Sequence, residues 1–345
     1  MSDFSKMNQR DYWYDNAKAL LIILVVVGHL TTTDVAPSRE WVDNLAKFIY
    51  FFHMPVFMIV SGRFSRGRIE RREYGKAICQ ILIPYLILET GIILIYSALN
   101  IKQSNFAYIY PMFGLWYLFV LFIYLVITPT FLKLSHPMIL ALLAVLLSLF
   151  LPSTLYGGFH RALTFYPFFL FGYFTSKMDF SFCKRWWFRL ISVLFFAALL
   201  IGMLLWGNNL VFEIFNLRVA YGELEKNQLL VIGEYIIHYA LSFVCFFAFM
   251  GITPSKKTFF SYIGIHSFYV YGLHLFFIIT LRELFEPVPL SNNVWVILYL
   301  FSGILLAFIL ASPPIRRLAR PFIEPKVNFR RILETLPLDS SKKES

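Results

Sequence analysis

Ten apolar segments of roughly membrane-spanning length constrain this chain more than any other feature. A transmembrane helix needs about 20 predominantly apolar residues, and apolar residues make up 59% of the chain while charged residues make up 15%, against roughly 25% charged in soluble proteins. The sequence therefore predicts an all-α, polytopic membrane protein with about ten transmembrane helices. The ten predicted spans are Asn16–Thr33, Phe48–Gly62, Ala77–Leu99, Gly114–Leu132, Met138–Leu151, Ala162–Ser176, Phe188–Trp206, Leu229–Gly251, Phe259–Leu281 and Val294–Ala311.

The basic residues fall mostly on one side of these spans. With ten crossings, 24 of the 31 Lys and Arg residues lie in the segments that share a side with both termini. The positive-inside rule then predicts that both termini are cytoplasmic, in a multi-pass protein of the cell membrane. We expect a cytoplasmic N-terminus (1–15), one membrane domain (16–311) and a basic cytoplasmic tail (312–345). The net charge of +11 is thus explained by topology, which argues against a nucleic-acid partner.

Two histidines are predicted to lie at one level inside the membrane. At 1.5 Å per residue, His29 lies about 16 Å along the first helix from Lys18, and His53 lies about 15 Å along the second helix from Arg63. Ionisable groups inside a membrane are costly and usually functional. Imidazole can take a proton from a hydroxyl and return it to a leaving group. The alternative is that each histidine only forms a hydrogen bond between helices.

The segment Gly62–Lys76 carries six cations and three glycines. One interpretation is a phosphate-binding loop, because arginine forms bidentate hydrogen bonds to phosphate and glycine lets the backbone bend toward a ligand. The other is a topology signal that contacts anionic lipid headgroups.

Several motifs, in order along the chain, resemble the acyltransferase 3 family of integral membrane O-acyltransferases, and especially its subgroup similar to fucose 4-O-acetylases. They are Tyr14-Asp15-Asn16-Ala17-Lys18 with Gly28-His29, Phe51-Phe52-His53-Met54-Pro55 with Ser61-Gly62, Ile83-Pro84-Tyr85, Leu115-Trp116-Tyr117-Leu118, Phe165-Tyr166-Pro167 and His266-Ser267-Phe268-Tyr269 through His274. The resemblance implies that acetyl-CoA is the donor co-substrate and that the acceptor is a hydroxyl of a carbohydrate or lipid-linked glycan. Lys18 stands where many family members carry arginine.

We therefore expect an O-acyltransferase that acts on a cell-envelope or exported carbohydrate. His29 is the predicted general base and His53 its assistant. Lys18, Arg68, Arg71 and Arg72 are predicted to hold the phosphates of the donor, and Trp116 and Arg161, with Tyr117 and Tyr166, to face the acceptor or to form an aromatic belt. We expect no metal site and no permanently bound cofactor. The alternatives are a transporter or flippase of an envelope glycan precursor, and a partner in polysaccharide export that has no chemistry of its own.

Overall fold

The computed structural model describes residues 10–32, 39–101, 108–150, 158–210, 212–215, 217, 227–284 and 292–326. Within these ranges every regular element is a helix. The α-helices are α1 (Tyr12–Thr31), α2 (Glu40–Glu70), α3 (Tyr74–Ala77), α4 (Ile83–Ala98), α5 (Trp116–Phe131), α6 (Pro137–Ser148), α7 (Gly158–Thr164), α8 (Tyr166–Phe174), α9 (Trp186–Trp206), α10 (Phe212–Phe215), α11 (Gln228–Ile252), α12 (Ser261–Ile265), α13 (Ser267–Leu284), α14 (Asn293–Ala311) and α15 (Pro313–Ile323). A five-residue π-helical segment, Ile78–Leu82, joins α3 to α4.

Six helical stretches in the described part of the chain are long and apolar enough to cross a membrane. They are Tyr12–Thr31, Glu40–Glu70, Tyr74–Ala98, Trp186–Asn209, Leu229–Ile252 and Asn293–Ala311. Two further apolar helices, Trp116–Phe131 and Pro137–Ser148, are shorter. All ten predicted spans overlap helices, so the all-α, membrane-spanning architecture is confirmed, while the count of ten crossings stays a prediction.

The second helix, α2, lies at the centre of the bundle and contacts α1, α5, α8, α9 and α11. Its contact with α8 is made by backbone. A Cβ atom on Gly62 would lie 2.0 Å from the carbonyl oxygen of Phe169, and one on Gly172 would lie 1.9 Å from that of Ile59. Because no side chain can occupy either space, these two glycines fix how closely α2 and α8 pack.

The basic segment after Gly62 is not a loop, which corrects the expectation that its glycines bend toward a ligand. Helix α2 continues to Glu70, and its 31 residues make it about 46 Å long, well beyond the hydrocarbon core of about 30 Å. The guanidinium of Arg63 donates to the backbone carbonyls of Thr175 and Met178. Arg66 donates to Glu70 at 2.7 Å and to Ser176 at 3.1 Å. These two arginines therefore attach the end of α2 to the segment after α8.

The first helix is fixed at its start by a buried amide. The Asn16 side chain donates to the carbonyls of Pro254 and Lys256, both at 2.8 Å, and accepts from the hydroxyls of Thr258 at 2.9 Å and Ser261 at 2.7 Å. All four hydrogen-bonding capacities of the amide are thus used. This network holds the start of α1 against the connection between α11 and α12.

Helix α15 lies at the same end of the bundle as the start of α1. It contacts α4, α13 and α14, and Arg316 lies 3.3 Å from Nδ1 of His266, directly before α13. The described ends of the chain therefore lie at one end of the bundle. The side of the membrane that they face stays a prediction, and residues 1–9 and 327–345 of the predicted terminal segments lie outside the described part.

Candidate active site

His29 lies in the last turn of α1 and faces the segment that begins α5 and one side of α13. Its imidazole centroid is 5.3 Å from that of His274. A Cβ atom on Gly114 would lie only 3.0 Å from Nε2 of His29. The hydroxyl of Tyr271 donates to the carbonyl of Gly114 and so ties this segment to α13. The side chain of His29 is thus enclosed on two sides.

His274 is a second imidazole at this site, to which the sequence assigned no role. Its Nδ1 lies 3.0 Å from the carbonyl oxygen of Val270 and 2.7 Å from that of Tyr271. Since a carbonyl can only accept, Nδ1 carries the hydrogen and Nε2 presents a lone pair. This Nε2 is buried and has no hydrogen-bond partner among the described residues. The motif that ends at His274 was the signal in the sequence that could have indicated this residue. Its neighbour in the fold, His29, lies 245 positions earlier in the chain.

His53 approaches the site through Tyr50. The Tyr50 ring lies 6.5 Å from the His29 ring and 4.9 Å from the His53 ring, centroid to centroid, with its plane nearly perpendicular to both. Nδ1 of His53 lies 2.7 Å from the carbonyl oxygen of Ile49. The two predicted histidines therefore belong to one cluster, in which Tyr50 contacts both.

A cavity lined by Lys18 and Arg68 at one end extends toward this cluster. This inner cavity has a volume of about 370 Å³. Along α2 its lining runs from Arg68 to Phe57, a distance of about 16 Å at the helical rise. Its lining residues are Lys18, Phe57, Val60, Ser61, Phe64, Ser65, Arg68, Gln80, Ile81, Tyr117, Leu118, Leu121, Leu125, Ser267, Phe268 and Tyr271.

The deep end of the inner cavity is connected to the histidines by aromatic rings. The centroids of Tyr117 and Tyr271 are 5.3 Å apart, and that of Tyr271 is 5.9 Å from that of His274. The hydroxyl of Tyr117 is held 2.6 Å from that of Ser61 on α2. A molecule that enters past the basic residues would thus reach Tyr271, whose ring lies between the cavity and His274.

Two of the four predicted phosphate-binding residues line the inner cavity. The ammonium of Lys18 lies 2.8 Å from a carboxylate oxygen of Asp15, with a quarter of the side chain exposed. Arg68 donates to the amide oxygen of Gln80 at 2.7 Å. Each of these two side chains is thus held by a partner within the protein.

Arg71 and Arg72 do not line the inner cavity. Arg71 donates to Glu73 at 2.9 Å, and Lys76 lies 2.8 Å from the same carboxylate. These two hydrogen bonds lower the pKa of Glu73 to about 2. Arg72 is an exposed turn residue with a φ of 49°. The arrangement connects only Arg68, of the three predicted arginines, to the cavity, and the roles proposed for Arg71 and Arg72 stay predictions without a contact that supports them.

The predicted acceptor residues Trp116 and Arg161 are brought together. The guanidinium of Arg161 lies over the indole of Trp116, 4.6 Å from its centroid. Arg161 is also close enough to His29 for its charge to act on the imidazole. Tyr166 lies elsewhere, with its hydroxyl 3.1 Å from Thr128 and its ring 4.9 Å from that of Tyr124. Trp116 and Arg161 therefore form one unit near His29, and Tyr166 packs within the bundle.

The acyltransferase domain family matches residues 11–312, which is most of the chain. The chain belongs to the acyltransferase 3 family. It is a multi-pass membrane protein of that family, as the motifs predicted, and its histidine cluster lies inside the domain that defines the family. The comparison favours an enzyme over the transporter, flippase and export-partner alternatives.

Two curated relatives are nodulation proteins named NolL. This chain is 31% identical over 227 residues to the protein from Mesorhizobium japonicum, an alignment that covers 59% of this chain and 60% of the relative. It is 41% identical over 85 residues to the protein from Sinorhizobium fredii, which covers 23% of each chain. The chain thus spans about three fifths or less of the length of these relatives. No solved structure matches it.

Within the acyltransferase domain, the histidine cluster and the inner cavity provide the two elements that acyl transfer to a hydroxyl requires. An imidazole can remove the proton of the hydroxyl, and a cavity with cations at one end can hold an anionic donor. The fold sets both on α1 and α2, since Lys18 and His29 share one helix and Arg68 lies on the next.

Proposed function

We propose that this protein transfers an acetyl group from cytoplasmic acetyl-CoA to a hydroxyl of a cell-envelope or exported carbohydrate, and that it does so in the cell membrane with both termini in the cytoplasm. The observation that carries the proposal is the inner cavity, which has Lys18 and Arg68 at one end and Tyr271 at the other. The ring of Tyr271 lies against that of His274, which in turn lies against that of His29.

The inner cavity fits the acyl-bearing arm of CoA. This arm is a slender chain with a thioester at its end, and the cavity is mostly apolar in its lining and extends along about 16 Å of α2. Lys18 and Arg68 at its basic end provide the charge and the hydrogen-bond donors that phosphates require. The thioester would then reach the deep end, near Tyr117 and Tyr271.

His29 is the group best placed to act as general base. Its imidazole would take the proton from the acceptor hydroxyl as that oxygen attacks the thioester carbonyl. The new C–O bond forms, the C–S bond breaks, and the imidazolium returns its proton to the thiolate of CoA. His274, whose Nε2 is an acceptor, would hold either the N–H of His29 or the attacking hydroxyl in the required orientation.

The unit of Trp116 and Arg161 would receive the acceptor. An indole face packs against the apolar face of a sugar ring, and a guanidinium offers several fixed hydrogen-bond donors to hydroxyls. Their proximity to His29 supports the proposal that the acceptor approaches from the side opposite the inner cavity. The names of the two NolL relatives refer to nodulation and identify no acceptor for this chain.

The test is a comparison of envelope and exported glycans, by NMR, from a deletion strain, its parent and a complemented strain. We expect the deletion strain to retain the glycan and to lose its O-acetyl substituents, and complementation to restore them. Loss of the glycan itself would instead support a transporter or flippase. Unchanged acetylation in the deletion strain would contradict the proposal.

A further inference from the structure

A second, larger cavity opens beside the basic end of the inner cavity. This outer cavity has a volume of about 700 Å³ and is lined by Arg68, Cys79, Gln80, Phe268, Ile323, Glu324, Pro325 and Lys326. Arg68, Gln80 and Phe268 line both cavities. The two spaces are therefore adjacent and share one wall, with Arg68 at the boundary.

The π-helical segment Ile78–Leu82 forms part of that shared wall. Cys79 and Gln80 belong to it, and Gln80 accepts the hydrogen bond from Arg68. Short π-helical segments are rare and occur frequently at functional sites. Here the segment lies where the inner cavity meets the outer cavity.

The opposite wall of the outer cavity comes from the end of α15 and the residues after it. Helix α15 contacts α4 and α13, so Ile323–Lys326 face the π-helical segment and Phe268 across the cavity. Lys326 gives this wall a positive charge, and Glu324 on the same wall lies 3.5 Å from Arg320. A ligand in the outer cavity would thus meet a cation on each side and an aromatic ring.

We propose that the outer cavity binds the nucleotide portion of CoA, the adenosine with its 3′-phosphate and its pyrophosphate, while the pantetheine arm passes Arg68 into the inner cavity. This inference rests on the proposed donor. The larger cavity, whose lining has two cations, one carboxylate and one aromatic ring, suits a phosphorylated nucleoside, and the smaller, adjoining cavity suits the chain attached to it. The C-terminal helix α15 is then part of the donor site.

Cys79 provides a direct readout, because it lines the outer cavity and is partly exposed while Cys183 and Cys245 are fully buried. The protein, in zwitterionic lipid nanodiscs, is treated with a maleimide, and labelling at Cys79 is followed by mass spectrometry. Desulfo-CoA serves as ligand because it has no thiol that reacts with maleimide. We expect it to protect Cys79, dephospho-CoA lacking the sulfur to protect at higher concentration, and pantetheine lacking the sulfur to give no protection.

The variant Lys326→Gln tests the wall formed after α15. Since a charge-assisted hydrogen bond to phosphate is lost, the concentration of desulfo-CoA for half-protection should rise about tenfold or more. The matched control is Lys177→Gln, which removes an exposed charge outside the lining of both cavities and should leave protection unchanged. Equilibrium binding of radiolabelled desulfo-CoA to the wild type and to these two variants gives the same comparison without labelling of Cys79.

The outcomes separate this inference from the proposed function. If acetyl transfer saturates with acetyl-CoA but desulfo-CoA neither protects Cys79 nor binds more weakly to Lys326→Gln, the nucleotide site is wrong and the function stands. If neither transfer nor binding of desulfo-CoA is found, both are wrong. If Cys79 is protected in nanodiscs of anionic lipid and not by desulfo-CoA, the cavity binds a phospholipid headgroup, which also overturns the inference.

Discussion

Replacing Gly114 by alanine should impair catalysis with little effect on folding. The added methyl would lie 3.0 Å from Nε2 of His29 and 3.4 and 3.5 Å from the two methyl groups of Leu275. The contacts with Leu275 are ordinary, so only the imidazole must move, by a few tenths of an ångström. A general base must lie within about 2.6–3.2 Å of the group that it deprotonates, and a misplacement of about 1 Å can cost a factor of about 100 in rate. We therefore expect kcat to fall about tenfold or more, or about 1.4 kcal/mol of transition-state stabilisation.

The assay is release of the CoA thiol by purified protein in nanodiscs, with the KM for acetyl-CoA and the Tm measured on the same samples. The KM should be unchanged because Gly114 lies beyond the deep end of the inner cavity. The matched control is Gly202→Ala in α9, where a Cβ atom would meet nothing within 4 Å, so activity should be that of the wild type. A Gly114→Ala protein with wild-type kcat would refute the placement of His29 as base.

Four other variants, at three positions, test separate parts of the structure. Lys18→Gln should raise the KM for acetyl-CoA whereas Lys18→Arg, which keeps the charge, should retain activity, as steady-state kinetics will show. His274→Ala should lower kcat and leave the desulfo-CoA affinity unchanged; equal losses of both would indicate a structural role. Gly172→Ala should lower the Tm or prevent assembly in detergent, because a methyl cannot fit 1.9 Å from the carbonyl of Ile59; a wild-type Tm would contradict the close packing of α2 and α8.

Hydropathy predicted where helices form, because burial in lipid requires every backbone group to be satisfied within its own segment. It could not predict where α2 ends. Charge marks the membrane boundary, but arginine is a good helix former, so the helix continues through Arg63, Arg66 and Arg68 until the turn at Arg71 and Arg72. The basic segment was therefore wrongly described as a loop, and its position at the membrane boundary stays a prediction.

Depth along a helix can be calculated from the sequence, and this grouped His29 with His53. The direction in which each side chain points cannot be calculated from the sequence, because it depends on contacts between distant segments. The pairing of His29 with His274 depends on α13. The outer cavity depends on α15, which the sequence predicted only as part of the basic cytoplasmic tail. The same limit explains why Arg68, Arg71 and Arg72 were treated alike, although the fold connects only Arg68 to the cavities.

The most direct test of the account is to measure donor binding and acetyl transfer together in the variant His29→Asn. This change keeps a side chain of similar size that can form hydrogen bonds and removes the imidazole base. Since general base catalysis typically contributes a factor of about 100 to 10,000, kcat should fall by that factor while desulfo-CoA binds as it does to the wild type. A correctly folded His29→Asn protein that transfers acetyl groups at the wild-type rate would contradict the central claim that His29 is the general base for a donor held in the inner cavity.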